Sequence, residues 1–340
     1  MTTIGVGVIG MGFMGQTHAR CVASLAAQGV ACRLVAVNTR GAATWDDIRA
    51  GRRSGNIPAH QTQWPEHPAP EVTADTLSLL INDAIDLVVI ATTTPSHVRL
   101  AIEALEAGKH VLVEKPVALS ANAIEPLARI ARARPELRCM PAHVMRFWPG
   151  WDTLARWISS EAFGRLLSAS FQRLGTVPHW NRAFYDDISA SGGALCDLHI
   201  HDVDFIIHCL GQPARIHAHG DHLHVMTSYS FDTTDALITA EASWRRQPAG
   251  GFQMRFTADF EHATAEFDLA RSDPLLLHEG ERTSAVPTAA RDPYEAQLHV
   301  LIDSIATGQA TPVSIDDALK VARVIDRERA QLNAQAELTQ

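Results

Sequence analysis

The sequence predicts an α/β chain in two parts: an N-terminal doubly wound parallel sheet, then an α+β domain built on a large, mostly antiparallel open sheet. Three observations predict it. A glycine turn, Gly10-Met-Gly12-Phe-Met-Gly15, joins a β-branched run to a helix-compatible one. Strand-like and helix-like runs then alternate as they do around parallel sheets. Beyond about residue 148, strand-like runs follow one another with little helix between them, which is an antiparallel signature. A chain of 340 residues suits two domains better than one, and the expected division is 1–127 and 128–340.

Residues 4–9 are short, apolar and β-branched, as in a strand buried on both faces. The glycine turn follows at once, then a helix over 16–27 ending near Gly29, then a strand over 33–38. A helical fragment spans 44–50, and the Pro-, Gln- and His-rich stretch 54–70 reads as a surface insertion. Residues 86–90 and 110–114 are further buried strands, separated by an apolar-periodic helix that Gly108 stops. In the second part, strands are expected over 166–173, 214–219, 225–231, 236–244, 252–260 and 263–269. One helix over 193–209 interrupts them, and helices over 292–305 and 314–332 close the chain.

Composition narrows the function classes. With 46% hydrophobic and 20% charged residues the chain has the balance of a folded protein. The formal charge of −9 opposes nucleic acid and anionic membranes as partners, although 17 histidines titrate near neutrality. Five scattered cysteines with no C-x-x-C pair read as reduced thiols, so a cytoplasmic location is expected. Residues 1–19 carry no Asp, Glu, Lys or Arg, but five glycines break the run and no basic segment opens it. Neither a signal peptide nor a membrane span fits.

The glycines have a chemical use instead. G-x-G-x-x-G between a strand and a helix allows a tight turn, close backbone approach to a pyrophosphate, and unpaired helical N–H groups facing the anion. Gly10, Gly12, Phe13, Met14 and Gly15 are therefore expected to bind a dinucleotide. At the end of the second strand, Asn38-Thr39-Arg40 stands where an NAD site usually places an acid against the ribose 2′-hydroxyl. Arg40 can instead pair with a 2′-phosphate, with Asn38 and Thr39 adding hydrogen bonds, which favours NADP over NAD. Thr92, Thr93, Thr94, Pro95 and His97 follow the strand at 86–90, and Glu114 and Lys115 end the next one. All lie at the carboxyl edge where such sheets bind ligands. Glu114 is expected to hold backbone geometry there.

Asp197 and His201 are four residues apart on the central helix and so share a face, where the carboxylate can orient the imidazole. With a strand-end lysine, that pair supplies a base for a hydroxyl proton and a cation for the developing alkoxide. His199 projects from a different face and is expected to pack or hydrogen-bond rather than catalyse, with a place in the wall of the cleft as the alternative. Asp202 and Asp204 are expected to solvate or pair on the helix surface, with support of the sheet behind the site as the alternative for Asp204. His143, Arg146, His179 and Trp180 are candidate substrate contacts, since a sugar site combines hydrogen-bonding groups with an aromatic face. His217, His219, His222 and His224 read as an exposed polar strand face, and no metal site is expected.

The chain resembles the glucose-fructose oxidoreductase, inositol dehydrogenase and rhizopine-catabolism (Gfo/Idh/MocA) family over nearly its whole length. The resemblance runs through the glycine turn, Thr94-Pro95-Ser96-His97, Glu114-Lys115-Pro116, Arg146-Phe147, Gly192-Gly193 with Asp197 and His201, and the segment near Tyr294 and Ser314. It implies a Rossmann domain and an NAD(P)-dependent oxidoreductase acting on a secondary alcohol or ketone of sugars, polyols or related carbohydrates. It assigns catalysis to Lys115, Asp197 and His201, makes the second domain's open sheet the wall of the substrate cleft, and implies a homo-oligomer, a dimer or tetramer. The chain departs from the family at His199, usually glycine, and at Asn38-Thr39-Arg40, usually an acidic turn. Two other functions fit the same resemblance: a noncatalytic cofactor-sensing regulator, and a glycoside hydrolase or lyase that regenerates a tightly bound NAD in each cycle.

Overall fold

The computed structural model describes residues 3–40, 44–50, 64–179 and 181–338. Compact packing divides the chain into two units, Met1–His143 with Asp292–Leu319, and Val144–Arg291 with Lys320–Gln340.

In the first unit, six strands form a wholly parallel sheet among the described residues. They are β1 (Ile4–Ile9), β2 (Cys32–Asn38), β3 (Glu71–Thr73), β4 (Leu87–Ile90), β5 (His110–Val113) and β6 (Cys139–Pro141), in the order β3-β2-β1-β4-β5-β6. The strand order reverses between β1 and β4, the switch point at whose carboxyl ends sheets of this kind bind ligands. β1 and β4 are buried at every position, as their unbroken apolar runs require. The connecting helices are α1 (Phe13–Ala27), α2 (Trp45–Ala50), α3 (Thr76–Leu80), α4 (His97–Glu106) and α5 (Ala121–Ala133). The Asp75 side chain caps α3 and that of Ser120 caps α5, each accepting from backbone N–H groups of the first turn. β6 pairs with β5, which carries this unit past residue 127 to His143.

The second unit opens with α6 (Trp151–Ser160) and holds an eight-stranded sheet. Its strands are β7 (Leu166–Leu174), β8 (Arg215–Gly220), β9 (His224–Ser230), β10 (Leu237–Ser243), β11 (Gln253–Phe260), β12 (Thr264–Asp268), β13 (Leu275–Glu279) and β14 (Arg282–Ala285). The order is β14-β13-β12-β11-β7-β10-β9-β8, antiparallel except for the central β7–β10 pair. Between β7 and β8 come α7 (Arg182–Tyr185), α8 (Ile188–Ser191), a π-helical turn at Leu195–His199 and α9 (Ile200–Leu210). Burial alternates along β7, β9 and β11, so one face packs against helices and the other is more exposed and mostly polar, with Met226 of β9 among its residues. Trp151 anchors the packed face, with Phe171, Phe205, Phe256 and Phe267 rings 4.9 to 6.3 Å away.

Two helices close the chain. In α10 (Pro293–Thr307), Asp292 caps the first turn, Pro293 opens it and Gly308 ends it at φ +72°; the helix packs on α1. α11 (Ile315–Leu338) begins in the first unit and continues in the second. Both parts of the expected architecture are present. β3 and β6, of three residues each, are too short for a period to show in sequence, and β13 begins with three successive leucines that do not alternate. Of the expected insertion at 54–70, residues 54–63 lie outside the described residues.

Candidate functional site

The first unit presents its chemistry at the carboxyl ends of β1, β4 and β5. Gly10 leaves β1 at φ +93°, and a Cβ there would come within 2.8 Å of the Ala91 carbonyl after β4. Gly15 packs the first turn of α1 so closely on that loop that a Cβ would fall 1.8 Å from Gly10 O. Gly12 differs. It is the N-cap of α1 at φ −72° and ψ −161°, a conformation open to any L residue, and an added Cβ would meet no protein atom within 4 Å. Its backbone faces open space at a helix N-terminus with no side-chain cap, the cradle a pyrophosphate needs. Phe13 and Met14 are half-buried at the start of α1. The residues present fit a dinucleotide.

At the end of β2, Asn38 is buried and its side-chain amide donates to Thr73 O at 3.2 Å, while its carbonyl accepts from Gly10 N–H. Asn38 thus braces the turn between β2, β3 and the glycine loop. Thr39 N–H donates to Thr73 O, and Arg40 is exposed.

After β4, Thr92 Oγ1 and Ser96 Oγ lie 2.7 Å apart, and the Thr93 carbonyl accepts from the Ser96 N–H and Oγ across the short turn that carries Thr94 and Pro95. His97 is 1% exposed, with Nδ1 2.9 Å from Pro116 O and Nε2 3.0 Å from Thr92 O. Burial holds its pKa below the ordinary histidine value, against the pull of the two carbonyls and the Glu114 charge. Its ring clamps the loops after β4 and β5 together. Glu114 is buried beside it, accepting from His18 Nε2 at 2.7 Å and from the Lys115 N–H at 3.1 Å. Burial acts to raise the Glu114 pKa, but the His18 hydrogen bond and the charges of His18, Lys115 and His97 outweigh it and hold the carboxyl below its ordinary value. Through the Lys115 N–H, Glu114 braces the backbone at its own strand end. Lys115 is half-buried and His143 is buried.

In the second unit, Gly192 and Gly193 take φ +73° and +67° ahead of the π turn, and a Cβ on Gly193 would strike His222 O at 2.3 Å. From 191 to 207 every residue is buried except Asp197 and His201, which are half-exposed. One side of this segment therefore opens at the two positions that the sequence singles out. The acids that follow are not on the surface. Asp202 is 0% and Asp204 1% exposed. Asp202 accepts from Arg173 Nη2 at 2.8 Å, and Asp204 takes Nε and Nη2 of Arg146, with Nη2 at 2.6 Å. The surface position expected first of both is corrected by the neighbours: both point into the packed face, where a charge persists only when paired, which leaves for Asp204 only the interior alternative. His199 is 0% exposed and hydrogen-bonds with Glu328 and Tyr229.

His179 is exposed on the loop before α7, and Trp180 lies outside the described residues. His222 pairs with Asn333 and His224 with Glu241, while His217 and His219 are exposed on β8. Sequence reading missed His18, Arg173, Tyr229 and Glu328. For Arg173 a signal existed, because it occupies a buried phase of β7 between Phe171 and the strand end.

A family model described as an oxidoreductase family with an NAD-binding Rossmann fold, GFO/IDH/MocA, matches residues 4–143. The GFO/IDH/MocA C-terminal domain matches residues 151–266. An uncharacterized oxidoreductase of Bacillus subtilis is 24% identical over 338 residues, spanning 94% of this chain and 91% of its own. Inositol 2-dehydrogenase 2 of Saccharopolyspora erythraea is 30% identical over 212 residues, 62% of this chain and 55% of its own. Among solved structures, levoglucosan dehydrogenase in complex with NADH superposes with a TM-score of 0.82 at 20% identity, over 97% of each chain.

Proposed function

The chain belongs to the GFO/IDH/MocA oxidoreductase family and carries its NAD-binding Rossmann domain, and on that premise we propose that it transfers a hydride between a nicotinamide dinucleotide and a secondary alcohol or ketone of a sugar, polyol or related carbohydrate. When bound, the nicotinamide supplies or accepts the hydride. His201 exchanges the hydroxyl proton, Asp197 orients and charge-balances His201, and Lys115 stabilises the alkoxide. The observation that carries these roles is the exposure pattern of 191–207, buried throughout but for Asp197 and His201. Packing alone gives no reason to leave those two polar groups open. Relatives named for inositol and dihydrodiol oxidation favour a hydroxylated substrate.

Gly10, Gly12 and Gly15 form the pyrophosphate turn, with Thr92 to His97 and Glu114 shaping its far wall. Arg40, exposed at the end of β2, favours NADP over NAD. Among the described substrate candidates, exposed His179 suits direct contact. His143 is buried and Arg146 is held by Asp204, which suits both to support rather than contact. A cytoplasmic homo-oligomer completes the proposal; all five cysteines are free, and no helix among the described residues is long and apolar enough to cross a membrane.

A panel of sugars and polyols offered with NAD and NADP in parallel, read at the nicotinamide absorbance, tests the proposal. Reduced cofactor should accumulate with at least one polyol. Substrate consumption without accumulation would replace net oxidation by an internal redox cycle. The variant His201→Asn should bind cofactor normally and turn over far more slowly; near-normal turnover would remove His201 from its role.

A further inference from the structure

Between Asp197 and His201, the chain inserts a buried polar cluster that the proposed chemistry does not use. His199, Tyr229 and Glu328 are 0%, 3% and 0% exposed. The three polar atoms form a triangle: Tyr229 Oη donates to Glu328 Oε1 at 2.7 Å, and His199 Nε2 lies 3.2 Å from that same oxygen and 3.0 Å from Tyr229 Oη. Burial first, then the charge and hydrogen bond of Glu328, push the Tyr229 pKa well above its ordinary value, so the phenol stays a neutral donor. The next residue on α11, Arg329, directs Nη2 to Cys196 Sγ at 3.2 Å. α11 therefore grips the π turn at both ends, at Cys196 and at His199. Beyond His201, α9 is anchored by the Asp202–Arg173 and Asp204–Arg146 pairs.

We propose that the His199–Tyr229–Glu328 cluster is a positioning device that holds the π turn, and with it Asp197 and His201, in one register. A π turn is one of several pairings that the same residues could adopt, and such turns recur where a side chain must be aimed. A buried acid held by two hydrogen-bonding side chains selects one pairing, because any slip by a residue would withdraw His199 and leave Glu328 short of a partner. His199, Tyr229 and Glu328 are positioning residues that act through the backbone between the two catalytic candidates. The kinetic part of the proposal rests on the hydride-transfer function; the structural part does not.

The test uses Tyr229→Phe and Glu328→Gln, which keep volume and remove one bond or the charge, with His199→Ala and His199→Gln as a rescue pair. Amide hydrogen exchange over 195–201 should rise in Tyr229→Phe and Glu328→Gln while the β11 and β12 strands stay protected. In the active enzyme kcat should fall by about 10- to 100-fold, with KM and cofactor affinity little changed, and His199→Gln should recover much of what His199→Ala loses. Unchanged exchange at 195–201 in a folded variant overturns the proposal, as does loosening spread evenly over the unit. If the wild-type protein oxidises no polyol with either nucleotide, the hydride-transfer function fails, and the exchange measurement still decides the cluster.

Discussion

Arg173 and Asp202 form an ion pair wholly inside the second unit, with Nη2 2.8 Å from Oδ1 and side chains 2% and 0% exposed. The guanidinium also sits 5.4 Å from the Trp151 ring centre. β7 thus sends a cation into its apolar face, and the residue after His201 meets it.

Removing one partner should be far more damaging than removing both. Asp202→Asn leaves the Arg173 charge uncompensated, for an expected loss of about 3 to 5 kcal/mol. The double variant Arg173→Met with Asp202→Leu should recover most of that loss, since a buried pair is worth little against apolar groups of similar volume. Urea unfolding of the three proteins measures this. A single variant as stable as the wild type would mean that the pair is not held in this form.

The contrast between Arg173 and Gly12 shows which features could be read from sequence. The glycine turn, the alternation of strand and helix and the Asp197/His201 spacing are local, so a few neighbouring residues carry them. Buried pairs join distant positions. Asp202 and Arg173 are 29 residues apart and His199 and Glu328 are 129 apart, and nothing near Asp202 tells whether its carboxylate meets water or a guanidinium. His18 was hidden for the same reason, since its partner Glu114 lies 96 residues on. The placement of individual residues at strand and helix ends was legible; the polar contacts that hold them were not.

Glu114 should make stability depend on acid. Its carboxyl is held below the ordinary value of 4.5, so the folded state binds its proton less readily than the unfolded chain. The stabilisation is therefore complete above that value and is lost as pH falls through the lower folded value. Comparing urea unfolding of the wild type and Glu114→Gln from about pH 7 to about pH 3, the gap between them should be widest near neutrality and close in acid. A gap that widens in acid would reverse the assigned direction.

Arg40 is exposed at the end of β2, whereas Arg146 and Arg173 are held in buried ion pairs. If it meets a 2′-phosphate, Arg40→Ala should weaken NADP by about ten- to a hundredfold, the worth of a charge-assisted hydrogen bond, and leave NAD nearly unchanged. Titration of both nucleotides against both proteins reads the difference. Equal weakening of the two, or of neither, would remove Arg40 from cofactor selection.

Gly12 and Gly15 stand three residues apart in the same turn and should respond oppositely to the same substitution. A methyl group on Gly15 would lie 1.8 Å from a backbone oxygen, so Gly15→Ala must displace α1 from β1. It should lower stability by about 1 to 3 kcal/mol, as overpacking does. Gly12 has a conformation that alanine adopts freely and no protein atom within 4 Å of the added carbon. Gly12→Ala should therefore unfold like the wild type, yet its methyl group would fill the space that a pyrophosphate must enter, and dinucleotide affinity should drop sharply. Thermal unfolding and nucleotide titration of the two variants separate a glycine kept for packing from one kept for a ligand. A Gly12→Ala protein that binds NAD and NADP as tightly as the wild type would show that the dinucleotide does not approach this turn.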